Sequence, residues 1–209
     1  MVIGLQTANM YMRQFHLKRA IVIGADYISK HCRDDSTIYS FFGDLGCAAL
    51  LELEEQEEDR WLASTFTSNS LDYDIGAFPA CGMASIYRNT IAKNDKKFAI
   101  FHADTIDRKD LGIKDIEALL SQCKLRPDDV DLFCVSQATK KNVTDLRDNF
   151  GVSANRMPYV GDKFGYTGTS SPFLVLDQYL HTDKIKRGDI VVIWSIGMAY
   201  QSFGMLLKF

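Results

Sequence analysis

The sequence predicts an α/β fold. Short β-branched apolar runs such as Ala20 to Gly24 (AIVIG) and Ile190 to Ile196 (IVVIWSI) read as strands buried on both faces. Helical stretches separate such runs, and Gly- and Asp-bearing turns stand where one type gives way to the other. The 209 residues are 46% hydrophobic and 11% aromatic with only 4 prolines, enough for a substantial core and too apolar for a disordered chain. That length fits one large domain or two fused halves.

Taken in order, Met1 to His16 mixes Ile3, Leu5, Met10, Met12 and Phe15 with Gln6, Ala8 and Gln14, a pattern nearer a buried helix than an alternating strand. The strand AIVIG follows. Asp44 and Gly46 then introduce a second strand at Cys47 to Leu53 (CAALLEL), and the acidic segment Glu52 to Asp59 reads as a solvated connection. Trp61 to Thr67 predicts a strand, Phe78 to Gly82 a loop, and a helical region runs up to Leu120. Asp131 to Val135 is strand-like, Asn142 to Phe150 helical, Met157 to Val160 a brief strand and Ser171 to Leu180 a helix. IVVIWSI and SFGMLLKF close the chain as strands separated by Gly197 to Gln201.

Lys and Arg number 24 against 27 Asp and Glu, a formal charge of -3, so no general attraction to nucleic acid or to an anionic membrane is expected. Cys32, Cys47, Cys81, Cys123 and Cys134 have neither zinc-site spacing nor the density of a disulfide framework, and read as thiols of a reducing cytoplasm. Apolar runs are strand-sized, which predicts neither a membrane span nor a signal peptide. No metal site is expected.

The two ends resemble each other: a helix followed by KRAIVIGAD and GCAALLEL, and a helix followed by RGDIVVIWS and SFGMLLKF. This points to duplication of a helix, strand, strand unit. If each half ends in such a unit, residues 61–209 form a complete second half of about five strands. Residues 1–60 are then the remnant of a first half, one helix and two strands.

In order and spacing, KRAIVIGAD, FGDLGCAALL, SQAT, FGYTGTSS, KRGDIVVIWSIG and QSFGMLLKF resemble the later part of the β-ketoacyl-acyl carrier protein synthase III (3-oxoacyl-ACP synthase III) family of the thiolase superfamily, its C-terminal two-thirds. The resemblance is weakest between about residues 83 and 115. It implies a layered αβαβα, thiolase-like fold, here with an incomplete first half, and acyltransferase chemistry of the fatty-acid or polyketide type. Acyl carrier protein and acyl-CoA are the implied partners, and no cofactor is implied.

The family's reaction uses a cysteine thiolate at a helix N-terminus, which takes up the acyl group, and a histidine and an asparagine that hydrogen-bond the malonyl carbonyl. By the resemblance, the place of the cysteine falls just before Met1. The motif HQAN becomes Ser136-Gln137-Ala138-Thr139, with Ser136 at the histidine position. GNTS becomes Gly165-Tyr166-Thr167-Gly168, with Tyr166 at the asparagine position and bulky enough to fill part of the malonyl space. The oxyanion turn becomes Gly197-Met198-Ala199. No catalytic identity is intact, and the isolated chain is expected to be inactive.

Cys32 and Cys81 lie in predicted loops, away from any helix start, and His16, His31, His102 and His181 fall outside the family's motifs; structural roles are the plainer reading. Ser136 lacks a base recognisable from the sequence. Lys140, Lys141 and Arg147 mark a candidate docking surface for an acidic carrier protein, against the alternative of a solvated helix face. Where the family meets the coenzyme A nucleotide, this chain offers Arg33 followed by Asp34 and Asp35. Two functions follow as expectations: a portion of a condensing acyltransferase, or a noncatalytic subunit pairing with an active homologue. The strand Ala20 to Gly24 lacks its expected neighbour, which predicts a dimer or a larger complex with itself or with an upstream or homologous subunit.

Overall fold

The computed structural model describes residues 1–37, 39–54, 59–102 and 107–209. The elements, in order, are α1 (Val2–Phe15), β1 (Arg19–Asp26), α2 (Ile28–His31), β2 (Leu45–Glu52), β3 (Trp61–Ser68), β4 (Gly76–Ala77), β5 (Ala99–Ile100), α3 (Arg108–Gln122), β6 (Leu132–Val135), α4 (Lys140–Phe150), α5 (Gly161–Phe164), α6 (Ser171–Leu180), β7 (Ile190–Ile196) and β8 (Gln201–Lys208). The predicted α/β class is observed. Residues 55–58 of the acidic connection lie outside the described residues.

One sheet has the order β3-β8-β7-β6. Its β6–β7 pair is parallel, and β8 runs antiparallel to both β7 and β3. Each face of this sheet has its own core. Val192, Trp194 and Leu206 meet Ile116 and Leu119 of α3 and Val143 and Leu146 of α4 on one side. On the other, Val191, Ile193 and Met205 meet Val2 and Leu5 of α1 and Phe173 and Val175 of α6. Alternate residues of β7 thus point into different cores, as the two-residue period of a strand requires, and an uninterrupted apolar run is the result.

A second, two-stranded sheet pairs β1 antiparallel to β2. Val22, Cys47, Ala49 and Leu51 pack into the α1 side of the core. The described residues therefore stack as helices, sheet, helices, hairpin. The prediction that β1 is buried on both faces is corrected here, since its outer residues Ile21 and Ile23 are 65% and 71% exposed. AIVIG is apolar at every position, but among the described residues only α1's side is covered. Helix α1 is likewise two-sided rather than buried: Val2, Leu5 and Met12 face inward, while Met10, Tyr11 and Phe15 are exposed.

The predicted strand Met157 to Val160 does not form, and the main sheet within residues 61–209 has four strands where about five were expected. Residues 156–160 still run beside β6. The Phe133 amide donates to the Arg156 carbonyl at 2.7 Å, and the Val160 amide donates to Gln137 Oε1 at 2.9 Å. Pro158 has no amide hydrogen to give a ladder, and the Gln137 side chain takes over that role. Helix α4 begins at Lys140, two residues before its predicted start, because Thr139 caps it: its Oγ1 accepts from the Asn142 amide at 3.1 Å.

No helix among the described residues is long and apolar enough to cross a membrane, and among them no cluster of metal-binding side chains occurs.

Candidate active site

The motif FGDLG and the segment 164–169 are brought together across the molecule by backbone contact. The Tyr166 amide donates to the Phe41 carbonyl at 2.7 Å, and the Gly43 amide donates to the Tyr166 carbonyl at 2.9 Å. Glycine is required at position 43 because a Cβ there would lie 2.0 Å from the Phe164 carbonyl oxygen. Gly168 adopts φ +58°, and a Cβ on it would lie 2.6 Å from the Asp26 carboxyl carbon. Asp26 Oδ2 in turn accepts from the Thr169 amide at 2.8 Å. Next in the motif, Asp44 Oδ1 accepts from the Ser29 amide at 2.9 Å and Oδ2 from the Ser29 hydroxyl, fixing the turn into α2.

These contacts frame a cavity of about 930 Å³. Its wall is mostly apolar, with Phe41, Phe42, Ile75, Phe78, Phe98 and Ile100, and a few polar groups converge on it: Asp26, His31, Arg108, Thr139, Asn142 and Tyr166. An elongated apolar ligand with one polar end suits such a lining.

Tyr166, rather than Ser136, forms the wall. Ser136 is 3% exposed and its Oγ meets no hydrogen-bond geometry with any neighbour, although the hydroxyl stands close to the Tyr166 phenol. Burial pushes the phenol pKa above its ordinary value, opposed by the Ser136 hydroxyl and the Arg108 guanidinium and reinforced by Asp26. Tyr166 is thus a neutral hydrogen-bond donor at ordinary pH. Burial also raises Asp26, opposed by the backbone amides of Thr169 and Ser170.

Gln137 is fully buried for a structural reason: its Nε2 donates to the carbonyls of Val135 and Pro158 at 2.9 and 3.3 Å. Ala138 reaches the cavity wall. Gly197 and Met198 reach it as well, and Ala199 beside them adopts φ 55°, ψ 33°, followed by Tyr200 at φ 52°. The turn thus takes left-handed backbone on two residues that carry a Cβ, at a cost of order 1 kcal/mol each.

Among the described residues no cysteine lines the cavity. Cys32 is completely buried and its thiol pKa is raised by that burial, the reverse of an activated nucleophile. His31 does line the cavity, stacked edge-on against Phe78 at 4.8 Å. Sequence reasoning set His31 aside and did not single out Arg108, Asn142 or most of the phenylalanines; only Phe42, the first residue of FGDLG, and Phe41 beside it carried a signal.

Lys140 and Lys141 are exposed in the first turn of α4, close to Thr139 and Asn142 at the cavity. The Lys141 ammonium pairs with Asp145, one turn on. Arg147 lies on the flank of Lys140 two turns further, partly buried, with Nη2 donating to Thr144 Oγ1 at 3.2 Å. Arg33 is held by Asp35 through two bonds of 3.0 Å, with Asp95 at 3.5 Å.

Two profiles of one family match the chain in sequence: 3-oxoacyl-[acyl-carrier-protein] synthase III over residues 1–70, and its C-terminal profile over residues 120–209. The chain belongs to this synthase III family. Among curated relatives, the β-ketoacyl-[acyl-carrier-protein] synthase III of Synechocystis is 26% identical across 94% of this chain and 60% of its own length. That of Gloeobacter violaceus is 28% identical across 99% and 63%. Among solved structures, the Pseudomonas aeruginosa synthase III superposes with a TM-score of 0.83 at 19% identity, covering all of this chain and 63% of that one. Xanthomonas campestris OleA gives 0.78 at 15% identity and 62% coverage. These structures show a thiolase-like α/β fold. The chain spans less than two thirds of the length of these relatives.

Proposed function

We propose that this chain is the acyl-binding portion of a synthase III-like acyltransferase of fatty-acid or polyketide metabolism, corresponding to the C-terminal two-thirds of its relatives, and that by itself it performs no condensation. Residues 1–60 are the remnant of a first thiolase-like half and residues 61–209 the second half. The observation that carries this reading is Tyr166, which stands on the cavity wall with the short Ser136 hydroxyl buried beside it. At the positions that the resemblance assigns to asparagine and histidine, a bulky neutral phenol and an unreaching hydroxyl replace the two donors that would stabilise a decarboxylating malonyl group. The apolar cavity remains large enough for an acyl chain. Gly197, Met198 and Ala199 would form its oxyanion turn, and Lys140, Lys141 and Arg147 would receive an acidic carrier protein at the cavity mouth. Arg33, engaged by two carboxylates, argues for a carrier protein rather than the coenzyme A nucleotide as donor. The compartment is the cytoplasm.

Incubation of the chain with a medium-chain acyl-carrier protein and with malonyl-carrier protein tests the reading. Intact mass is expected to show no acyl adduct and no carbon dioxide is expected to be released, while calorimetry detects binding of the acyl-loaded carrier. A stoichiometric adduct on Cys32 or Cys81 that disappears when that cysteine is replaced would refute it. The exposed outer face of the β1–β2 hairpin favours a second reading, a noncatalytic subunit that pairs with an active condensing enzyme.

A further inference from the structure

Donors predominate among the polar groups on the cavity wall. Arg108 is the only Lys or Arg among the described lining residues, and Asp26 the only Asp or Glu. Asp26 spends its charge on backbone: Oδ2 accepts from the Thr169 amide at 2.8 Å, and the Ser170 amide bonds the same carboxylate. The Arg108 guanidinium, at the start of α3, can only donate. At the start of α4 the Asn142 Oδ1 accepts from the Thr139 hydroxyl, which leaves the Asn142 amide nitrogen as a donor. The Tyr166 phenol, neutral at ordinary pH, donates as well.

The surroundings of these donors decide the kind of ligand they suit. Arg108 is half-buried in a wall that also carries Phe41, Phe42, Phe78 and Phe98, and it stands close enough to Tyr166 for its charge to act on the phenol. An acyl thioester is uncharged, and its carbonyl takes little from a guanidinium. A carboxylate takes a charge-assisted, two-pronged pair from the guanidinium and a further bond from the phenol. The Ser136 hydroxyl points the same way. It is 3% exposed, its Oγ meets no hydrogen-bond geometry with any neighbour, and it stands beside the phenol. Once the phenol donates into the cavity, the serine hydroxyl can donate to the phenol oxygen. A buried orphan is then satisfied and the phenol becomes the stronger donor.

We infer that the cavity binds a free medium-chain fatty acid, its carboxylate held between the Arg108 guanidinium and the Tyr166 phenol and its tail laid along Phe41 and Phe42 toward Ile75 and Ile100. The volume of about 930 Å³ falls within the range of roughly 300–1,000 Å³ common to small-molecule sites. No bond is made or broken in this site. The inference rests on the reading of the chain as acyl-binding and names the form in which the acyl group is held, the acid rather than the thioester.

Decanoate, decanol and methyl decanoate are the probes, each titrated by calorimetry into the full chain at neutral pH, beside a medium-chain acyl-carrier protein. Decanoate should bind 1:1 and at least tenfold more tightly than the alcohol or the ester, as expected of a charge-assisted pair. Arg108→Met should weaken decanoate at least tenfold and leave decanol unchanged, and that retained decanol binding shows the variant to be folded. Arg108→Lys should recover part of the loss, since the charge returns without the planar fork. The absorbance of the Tyr166 phenolate, read as wild type minus Tyr166→Phe, should rise at higher pH with decanoate bound and not with decanol, because a carboxylate beside the phenol opposes its ionisation. Equal affinity for decanoate and decanol, or an Arg108→Met chain that binds decanoate as wild type does, overturns the inference. Binding of the acyl-loaded carrier without binding of decanoate also overturns it and leaves the acyl-binding reading standing, whereas binding of none of the four ligands removes both.

Discussion

Replacing Asp115 with alanine removes one carboxylate that holds α3 to three strands of the main sheet. Asp115 is 2% exposed and accepts from Thr67 Oγ1 of β3 at 2.8 Å, from Trp194 Nε1 of β7 at 2.9 Å and from the Ser202 hydroxyl of β8. Bonds to a charged acceptor contribute about 1.5–3 kcal/mol each, and a buried donor left without a partner costs about 1–3 kcal/mol. Trp194 and Ser202 are buried and would be left unpaired, whereas Thr67 is partly exposed and water can replace its bond. Release of the carboxylate from burial offsets several kcal/mol of the gross loss. The net destabilisation of Asp115→Ala is therefore about 3 kcal/mol, a fall in Tm of roughly 6–12 °C for a chain of this length. Asp115→Asn keeps one acceptor oxygen and should lose roughly half as much. Urea unfolding of wild type, Asp115→Ala, Trp194→Phe and the double variant measures the coupling directly, with at least ~1 kcal/mol expected between the two sites. Asp115→Ala within ~0.5 kcal/mol of wild type, or additive single and double variants, would show that this carboxylate does not tie the helix to the sheet.

Gly43→Ala places a methyl group 2.0 Å from the Phe164 carbonyl oxygen and should cost ~3 kcal/mol in chemical denaturation, with the cavity distorted enough to lose ligand; a neutral effect would mean that the 41–43 segment moves freely. The raised pKa of the buried Tyr166 phenol makes stability fully present below the ordinary phenol value of 10.0 and lost progressively as pH rises through the higher folded value. Tyr166→Phe should flatten that alkaline loss when urea midpoints are compared at pH about 9 and about 11, and an unchanged slope would place the phenol in solvent.

The elements whose signal is local were legible in the sequence. The continuous apolar run of β7, the Ser171–Leu180 helix and the turn at Gly197 follow from a few adjacent side chains, and each stands within a residue or two of its predicted place. The motif FGDLG was visible through the family resemblance, whereas the steric demand that Gly43 meets against Phe164 appears only in the structure. What only the tertiary structure decided depends on partners far along the chain. AIVIG and IVVIWSI look alike as sequence, yet helices enclose the second on both faces while the first has one face in solvent. Met157 to Val160 has strand composition, but Gln137, some twenty residues earlier, takes its hydrogen bond. Asp115 reads as a charged residue on a helix surface until three donors from three strands converge on it. The cavity was legible as a set of substituted motif positions; that Tyr166 walls it while Ser136 lies buried, and that Arg108 and His31 reach it, follows from side-chain volume and chain crossing, which no local pattern encodes.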